Sequence, residues 1–171
     1  MRIMNRFLYR RLLFTIILFT SSISIAEEWQ CTSPDGDNVI TVSLENGAAA
    51  CHLSFQGQSV IEHAALGLNL EQAPFADFTV HHSETSTTDT TWQPMIGELD
   101  QVRDHYNRLV LHLVETSQQQ RKLLIEFRAF DEGVAFRYII PQQVELDGAI
   151  ISNEKTEFRF AEDFGAYPIK N

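Results

Sequence analysis

Three carboxylates, Glu98, Asp100 and Asp104, stand close together in this chain, with His105 directly after them. Paired carboxylates perform acid–base displacement, for instance on glycosides, when they stand about 5 Å or roughly 6.5–9.5 Å apart. These three sit beside a polar stretch of an acidic chain, where carboxylates ordinarily keep an edge solvated, so they are assigned no catalytic role. His81 and His82 suggest a metal pair, but neighbouring residues on a strand face opposite sides and cannot share an ion without a bulge. Arg128 and Arg137 flank Asp131-Glu132-Gly133 among Phe127, Phe130, Phe136 and Tyr138. Guanidinium groups on so apolar a ribbon need partners, and Glu98, Asp104 and Glu126 are the candidates. An ion-pair network is the preferred reading for these arginines, with direct sugar contact second. Trp92, Tyr106 and Tyr138 have faces that could stack on a pyranose, although packing is the commoner use of aromatics in a sandwich. The sequence carries no glycine-rich phosphate loop, nucleophile elbow or zinc-binding helix.

The elements that must position these groups read as strands. Ile40, Val42 and Leu44 alternate with Thr41 and Ser43, then Asn46-Gly47 offers a turn, and Cys51, Leu53 and Phe55 alternate with His52 and Ser54. Gln56-Gly57-Gln58 turns the chain again. Alternation resumes at Leu66, Leu68 and Leu70, and a short strand is expected at 78–80. Residues 84–91 are Ser, Thr, Asp and Glu with no apolar position, and predict an exposed loop. Residues 109–114 carry bulky side chains on both faces, as in a covered central strand. Leu123, Ile125 and Phe127 share a face in the next strand, and Asp131-Glu132-Gly133 turns it back into 134–140. Shorter strands are expected at 149–151 and 157–160, with Asn153-Glu154-Lys155 as a bend. Residues 102–130 hold enough Leu, Gln, Glu and Arg to suit a helix, but their alternation and β-branched residues favour strands. Asp35-Gly36-Asp37-Asn38 lacks the further ligands of a calcium loop and predicts a turn. The fold class is therefore all-β, an antiparallel β-sandwich.

Residues 1–26 have the form of an export signal: Arg2, Arg6, Arg10 and Arg11, an apolar run at 12–19 too short to span a bilayer, and Ser24-Ile25-Ala26 before Glu27. The expected location is periplasmic or extracellular, with no membrane attachment after cleavage. Losing these residues removes four arginines and no acid, taking the net charge from -10 to -14. So acidic a surface repels phosphate backbones and excludes nucleic acid as a partner. Two cysteines, Cys31 and Cys51, remain. The oxidising context favours a bridge between them, closing a loop of about 20 residues and contributing roughly 3 kcal/mol. Two buried free thiols are the alternative.

Two segments go further. Trp92-Gln93-Pro94-Met95-Ile96-Gly97-Glu98 continues into Val102-Arg103-Asp104-His105-Tyr106-Asn107, and Phe127-Arg128-Ala129-Phe130-Asp131-Glu132-Gly133 continues into Val134-Ala135-Phe136-Arg137-Tyr138. With Ser33-Pro34-Asp35-Gly36 and Leu66-Gly67-Leu68, their wording and order resemble the N-terminal domain of glycoside hydrolase family 97, from about Thr32 to the end. The resemblance implies part of a large sandwich related to galactose mutarotases, over residues 27–171. It also implies an accessory role beside a catalytic (β/α)8 barrel that this sequence does not contain. Carbohydrate, an α-glucoside or α-galactoside oligosaccharide, is the implied partner.

Trp92, Glu98, Arg103, His105, Tyr106, Asn107 and Arg137 become candidates for substrate binding or the domain interface. The family's calcium takes one glutamate from this domain, at a place the comparison puts just past Asn171. No metal or other cofactor is therefore expected in this chain, although calcium is implied for the full-length enzyme. Two other readings are a self-standing carbohydrate-binding module and a small mutarotase-like enzyme pairing His105 with a glutamate.

Overall fold

A computed structural model describes residues 27–71, 74–96 and 100–165. Residues 1–26, with the expected export signal, lie outside them, as does Glu98. The chain runs as β1 (Glu27–Thr32), β2 (Asn38–Glu45), β3 (Ala48–Phe55), β4 (Gln58–Leu66) and β5 (Leu68–Leu70). It continues as β6 (Phe78–Trp92), β7 (Val102–Glu115), β8 (Lys122–Phe130) and β9 (Gly133–Ile139). A single 3-10 turn at Val144–Leu146 then leads to β10 (Ile151–Glu154) and β11 (Arg159–Phe160). Two antiparallel sheets result, ordered β1-β2-β3-β4-β11 and β6-β7-β8-β9, with β5 and β10 as a separate pair.

The alternation in the sequence is what stacks these sheets. Ile40 and Val42 on β2, Ala49 and Cys51 on β3, and Ala64 and Leu66 on β4 are all buried, while Thr41 and Ser43 between them are half-buried on the other face. Facing them are Leu109, Leu111 and Leu113 on β7 and Leu123, Ile125 and Phe127 on β8. The first sheet's inner face thus carries several small residues and the second's carries large ones, which lets the layers interdigitate. Val110 and Glu126 are buried on the opposite face of the second sheet, so β7 is covered on both sides as its sequence predicts, and β8 is too. Tyr138 closes one flank: its hydroxyl accepts from the Gly67 N–H at 2.8 Å and bonds Thr156 Oγ1 at 2.8 Å.

The turns follow local chemistry. Asn46 and Gly47 both have positive φ, 50° and 76°, and so do Gln56 and Gly57, 50° and 77°. This is the paired left-handed geometry that matches strand twist in two-residue hairpins. Gly47 has a second reason to be glycine. A Cβ there would sit 2.5 Å from Asp77 Cα, because the β2–β3 turn packs against the start of β6, where Phe78 N–H donates to Gly47 O at 2.9 Å.

Three expectations need correction. Residues 84–91 form no loop: they complete the long strand β6, paired with β7 from Phe78↔Glu115 to Trp92↔Val102. Both faces of that stretch are mostly solvated, so no alternation marks it, and its threonines supply the β-propensity instead. Asn153 and Glu154 are no bend but the end of β10, paired with Asn69 and Leu68. The third correction concerns the disulfide. Cys31 and Cys51 are free and buried, and β2 runs between them, with Cys31 opposite Ile40 and Cys51 opposite Val42. Two strand spacings put their Cα atoms roughly 9.5 Å apart or more, beyond the span of about 7 Å that a disulfide tolerates. Burial pushes the Cys51 thiol up to about 11. It also raises Cys31, against hydrogen bonds from the Ala129 and Leu109 backbone.

Two outcomes test this account. Peptide mapping without reduction will show no Cys31–Cys51 link, and both thiols will resist alkylation until the protein is unfolded. Gly57→Ala, with open space around its Cβ, will cost about 1–2 kcal/mol in urea unfolding from left-handed strain. Gly47→Ala, at nearly the same φ, will cost roughly 1–3 kcal/mol more because it meets backbone.

Candidate functional site

The two long motifs meet in space on β7, β8 and the turn after β8. Alternation divides their residues between faces. Arg103, His105 and Asn107 share a side with the core leucines of β7, whereas Asp104, Tyr106 and Arg108 lie on the outer side.

On the inner side, beyond the apolar core, a polar clamp ties the sheets together. Asn107 Nδ2 donates to Thr32 O at 2.7 Å, and its Oδ1 accepts from the Thr87 hydroxyl at 2.7 Å. The Cys31 thiol donates to Asn107 O at 3.3 Å. Asn38 Nδ2 donates to Phe130 O at 3.2 Å and Asp131 O at 3.0 Å. The Asp35 N–H donates to Asp131 Oδ1 at 3.0 Å, so the Ser33-Pro34-Asp35-Gly36 turn docks on the Asp131-Glu132 turn. The Ser33 hydroxyl donates to Asp35 Oδ1 at 2.5 Å and, with the Asp37 N–H, holds that carboxyl below its ordinary range.

His105 Nδ1 stands 3.9 Å from Asp131 Oδ2, too far for a hydrogen bond, and has no bonded partner among the described residues. Further along β7, Arg103 grips Asp89 with two bonds of 2.7 and 2.8 Å on an exposed surface. The Arg103 bond holds the Asp89 carboxyl below its usual value. The clamp fixes two loops and a strand end, and presents no nucleophile–base pair.

On the outer side, Tyr106 is buried and its ring is already occupied. Phe130 packs on it at 5.0 Å between centroids, and the Arg128 guanidinium lies over it at 4.6 Å. Its face is closed to a sugar. Glu126, only 2% exposed, sits beneath three guanidinium groups from three adjacent strands. Arg128 Nε donates to its Oε1 at 2.8 Å, while Arg108 Nε and an Arg137 Nη meet its Oε2, each at 3.1 Å. Burial pushes the Glu126 carboxyl up, but the bonds from Arg137, Arg108 and Arg128 outweigh it and leave it below the ordinary glutamate value. Glu126 is thus the partner for Arg128 and Arg137, whereas Asp104 is not.

Trp92 ends β6 and is 54% exposed, beside the fully open Met95 and Ile96. Farther along the outer face, the His82 and His112 rings lie 5.5 Å apart at a tilt of 46°, with Glu84 near both at 3.6 and 3.1 Å. The strand is bulged just there, between Val80 and His82. No group of three or more His, Cys, Asp or Glu is placed to hold a metal among the described residues.

Several important residues carried little sequence signal. The Arg121–Glu115 pair is buried at the β7–β8 turn, with bonds of 2.6 and 2.6 Å. Arg121 also donates to Pro74 O and lies over the Phe75 ring at 5.2 Å. Both residues read as ordinary turn charges in the sequence. Arg108 gave no signal either. Its only clue is the regular placing of charge on alternate positions of β7 and β8.

The profile described as glycosyl-hydrolase 97 N-terminal matches residues 31–171. The chain belongs to this family. A glycoside hydrolase family 97 enzyme from Pseudoalteromonas sp. strain K8, solved in complex with panose, is similar at 34% identity and a TM-score of 0.73. The match covers 78% of this chain and 20% of that one. The same enzyme in complex with acarbose gives the same values. A crystal structure of a beta-arabinopyranosidase is similar at 28% identity and a TM-score of 0.69, covering 78% of this chain and 21% of that one. The family-97 N-terminal chain thus spans about a fifth of the length of the enzymes it matches.

The ion pairs of this family member will differ in weight when tested. Glu126→Gln will cost about 2 kcal/mol, because charge-assisted bonds to three arginines are lost at once. Arg103→Ala will leave the urea midpoint nearly unchanged, because its pair is exposed and screened by water. Glu126 titrates below its unfolded value, so its contribution is complete above the ordinary glutamate range and disappears as pH falls through the depressed one. The gap between wild type and Glu126→Gln in urea unfolding will therefore narrow on acidification.

Proposed function

We propose that this chain is the N-terminal carbohydrate-recognition and support module of an exported α-glycosidase, set against a catalytic barrel that these residues do not contain. The observation that carries the reading is the coverage. The two-sheet fold of these residues matches only a fifth of a family 97 enzyme that is known in complex with panose and with acarbose. An aromatic strip offers the place for a second body. Phe158 lies 6.3 Å from Phe136, Phe160 lies 6.5 Å from Phe164, and Phe158, Phe160 and Phe164 are each about half exposed. So much aromatic surface on one segment is a feature of contact faces. Trp92, half exposed at the end of β6, is the residue placed to stack on a neutral sugar. Export rests on the form of residues 1–26, and α-glucosides or α-galactosides are the substrate class of the whole enzyme.

Hydrolysis needs a positioned acid, a base or nucleophile, and shelter from bulk water. The polar clamp supplies none of these together. The purified chain will therefore leave aryl α-glucosides and α-galactosides intact, with or without calcium, while a longer protein joining it to a family-97 barrel will cleave one of them. Calorimetry with panose will show weak binding that Trp92→Ala removes. Turnover that co-purifies with the chain and is abolished by Glu98→Gln or Asp104→Asn would overturn the accessory reading.

A further inference from the structure

On the outer face of the β6–β9 sheet three guanidinium groups gather on one carboxylate, while the other acidic groups described on that face, Glu84 and Asp104, form no ion pair with them. Arg108, Arg128 and Arg137 come from three neighbouring strands and share the single carboxylate of Glu126. Among the described residues none of the three meets another acidic group. The patch therefore has a local charge near +2 in a chain whose overall charge is -10. A guanidinium is a planar fork of several N–H donors, and one carboxylate cannot satisfy three of them. Arg108 and Arg128 meet it through Nε, the inner nitrogen of the fork. Arg137 meets it through a terminal nitrogen and is 59% exposed. Arg128 is further fixed by its stacking over Tyr106. The donors are held in place before any ligand arrives, which lowers the entropy cost of binding.

Beside them lies a cleft of about 190 Å³, lined by Glu126, Arg128, Phe130, Ala135, Phe136 and Arg137. Its walls combine an aromatic ring with two guanidinium groups. Across β7 from the cleft, β6 carries hydroxyls, with Ser86 opposite Arg108 and Thr88 opposite Tyr106. Among the described residues the exposed large apolar side chains lie away from the cleft, on Phe55, on Trp92 at the far end of β6, on Met95 and Ile96, and on the segments around and after the 3-10 turn. This face thus lacks the apolar centre that a protein partner requires. Its size and mix of groups suit one ring bearing an acid and several hydroxyls.

We propose that this cleft binds the carboxylate of an acidic sugar, a uronic-acid unit of an oligosaccharide. The carboxylate takes paired N–H bonds from Arg137 and Arg128, the geometry for which guanidinium groups are suited. The C–H face of the pyranose lies on Phe130. No bond is made or broken. The site is separate from Trp92 and does not depend on the α-glycosidase reading: it concerns a charged sugar on this chain alone.

Titration calorimetry on the full chain tests it with four probes: trigalacturonate, maltotriose, a glutamate-rich peptide and sodium sulfate. Trigalacturonate will bind, and added salt will weaken it. Arg137→Ala will weaken it by about tenfold or more, with Arg137→Lys in between because a point charge cannot form the paired bond. Arg137 is mostly exposed and gives Glu126 one of three bonds, so these variants will fold, which their melting temperatures will verify. Arg159→Ala, an exposed arginine on the other sheet, will bind like wild type. Absence of trigalacturonate binding, or equal binding to the Arg137→Ala protein, overturns the proposal. Equally tight binding of maltotriose removes the acidic requirement and overturns it too. The peptide binding as tightly as the sugar would make the patch a protein interface, and sulfate doing so would make it a simple anion site. Either result overturns the assignment.

Discussion

The fit between the small residues of one inner face and the large residues of the other holds this domain in a single arrangement. Ala49, Cys51 and Ala64 on the first sheet leave room for Leu109, Leu111, Leu113, Leu123, Ile125 and Phe127 on the second. A strand shifted by one residue would turn every leucine of β7 to the outside, so the register cannot drift. That register decides everything the motifs can do. Arg103, His105 and Asn107 share the leucines' side of β7, yet they lie where the second sheet outruns the core. There Asn107 meets Thr32 at the end of β1, His105 stands near Asp131, and Arg103 reaches the surface to hold Asp89. Tyr106 and Arg108, one step out of phase, face away and join Glu126. One apolar constraint thus sorts a single stretch into a clamp on one side and an arginine cluster on the other.

Charge is used in three settings that burial distinguishes. Arg103 and Asp89 lie on the surface, where water screens them. Arg121 and Glu115 are sealed under Phe75, with every oxygen of the carboxylate engaged by Arg121, the Ala76 N–H or the Ser117 hydroxyl. Such a pair sets geometry more than stability, since desolvation offsets most of the attraction. Glu126 is intermediate: covered, but by arginine arms that themselves reach water.

Much of the fold was legible because alternation and turn chemistry agree. The β2–β3 hairpin, the Asn46-Gly47 turn, the two-sided burial of β7 and the β8–β9 hairpin all follow from residues in plain view. The upper half of β6 did not, because its partner strand rather than a core holds it, and a sequence written in threonine and serine shows no apolar rhythm. The cysteines misled for a related reason. Their spacing suits a loop, but the intervening residues form a strand of their own and separate them. In the candidate site, the need of Arg128 and Arg137 for an acidic partner was readable. That Glu126 would be the partner, with Arg108 as a third donor, depended on which positions of three strands come opposite one another. Tyr106 looked available for stacking and is spent on packing, a distinction that only neighbours from other strands can make.

The free thiols have a consequence for how the native state is reached. No covalent cross-link has to form, be reshuffled or be proofread, so neither an oxidase nor an isomerase stands on the route to the folded domain. The same sandwich is attainable in a reducing compartment and in an oxidising one, and its stability does not vary with the ambient redox poise. Once closed, the core keeps both sulfurs protonated and out of reach, which spares the chain mispairing with other thiols. Its folding depends on the packing of the two sheets alone.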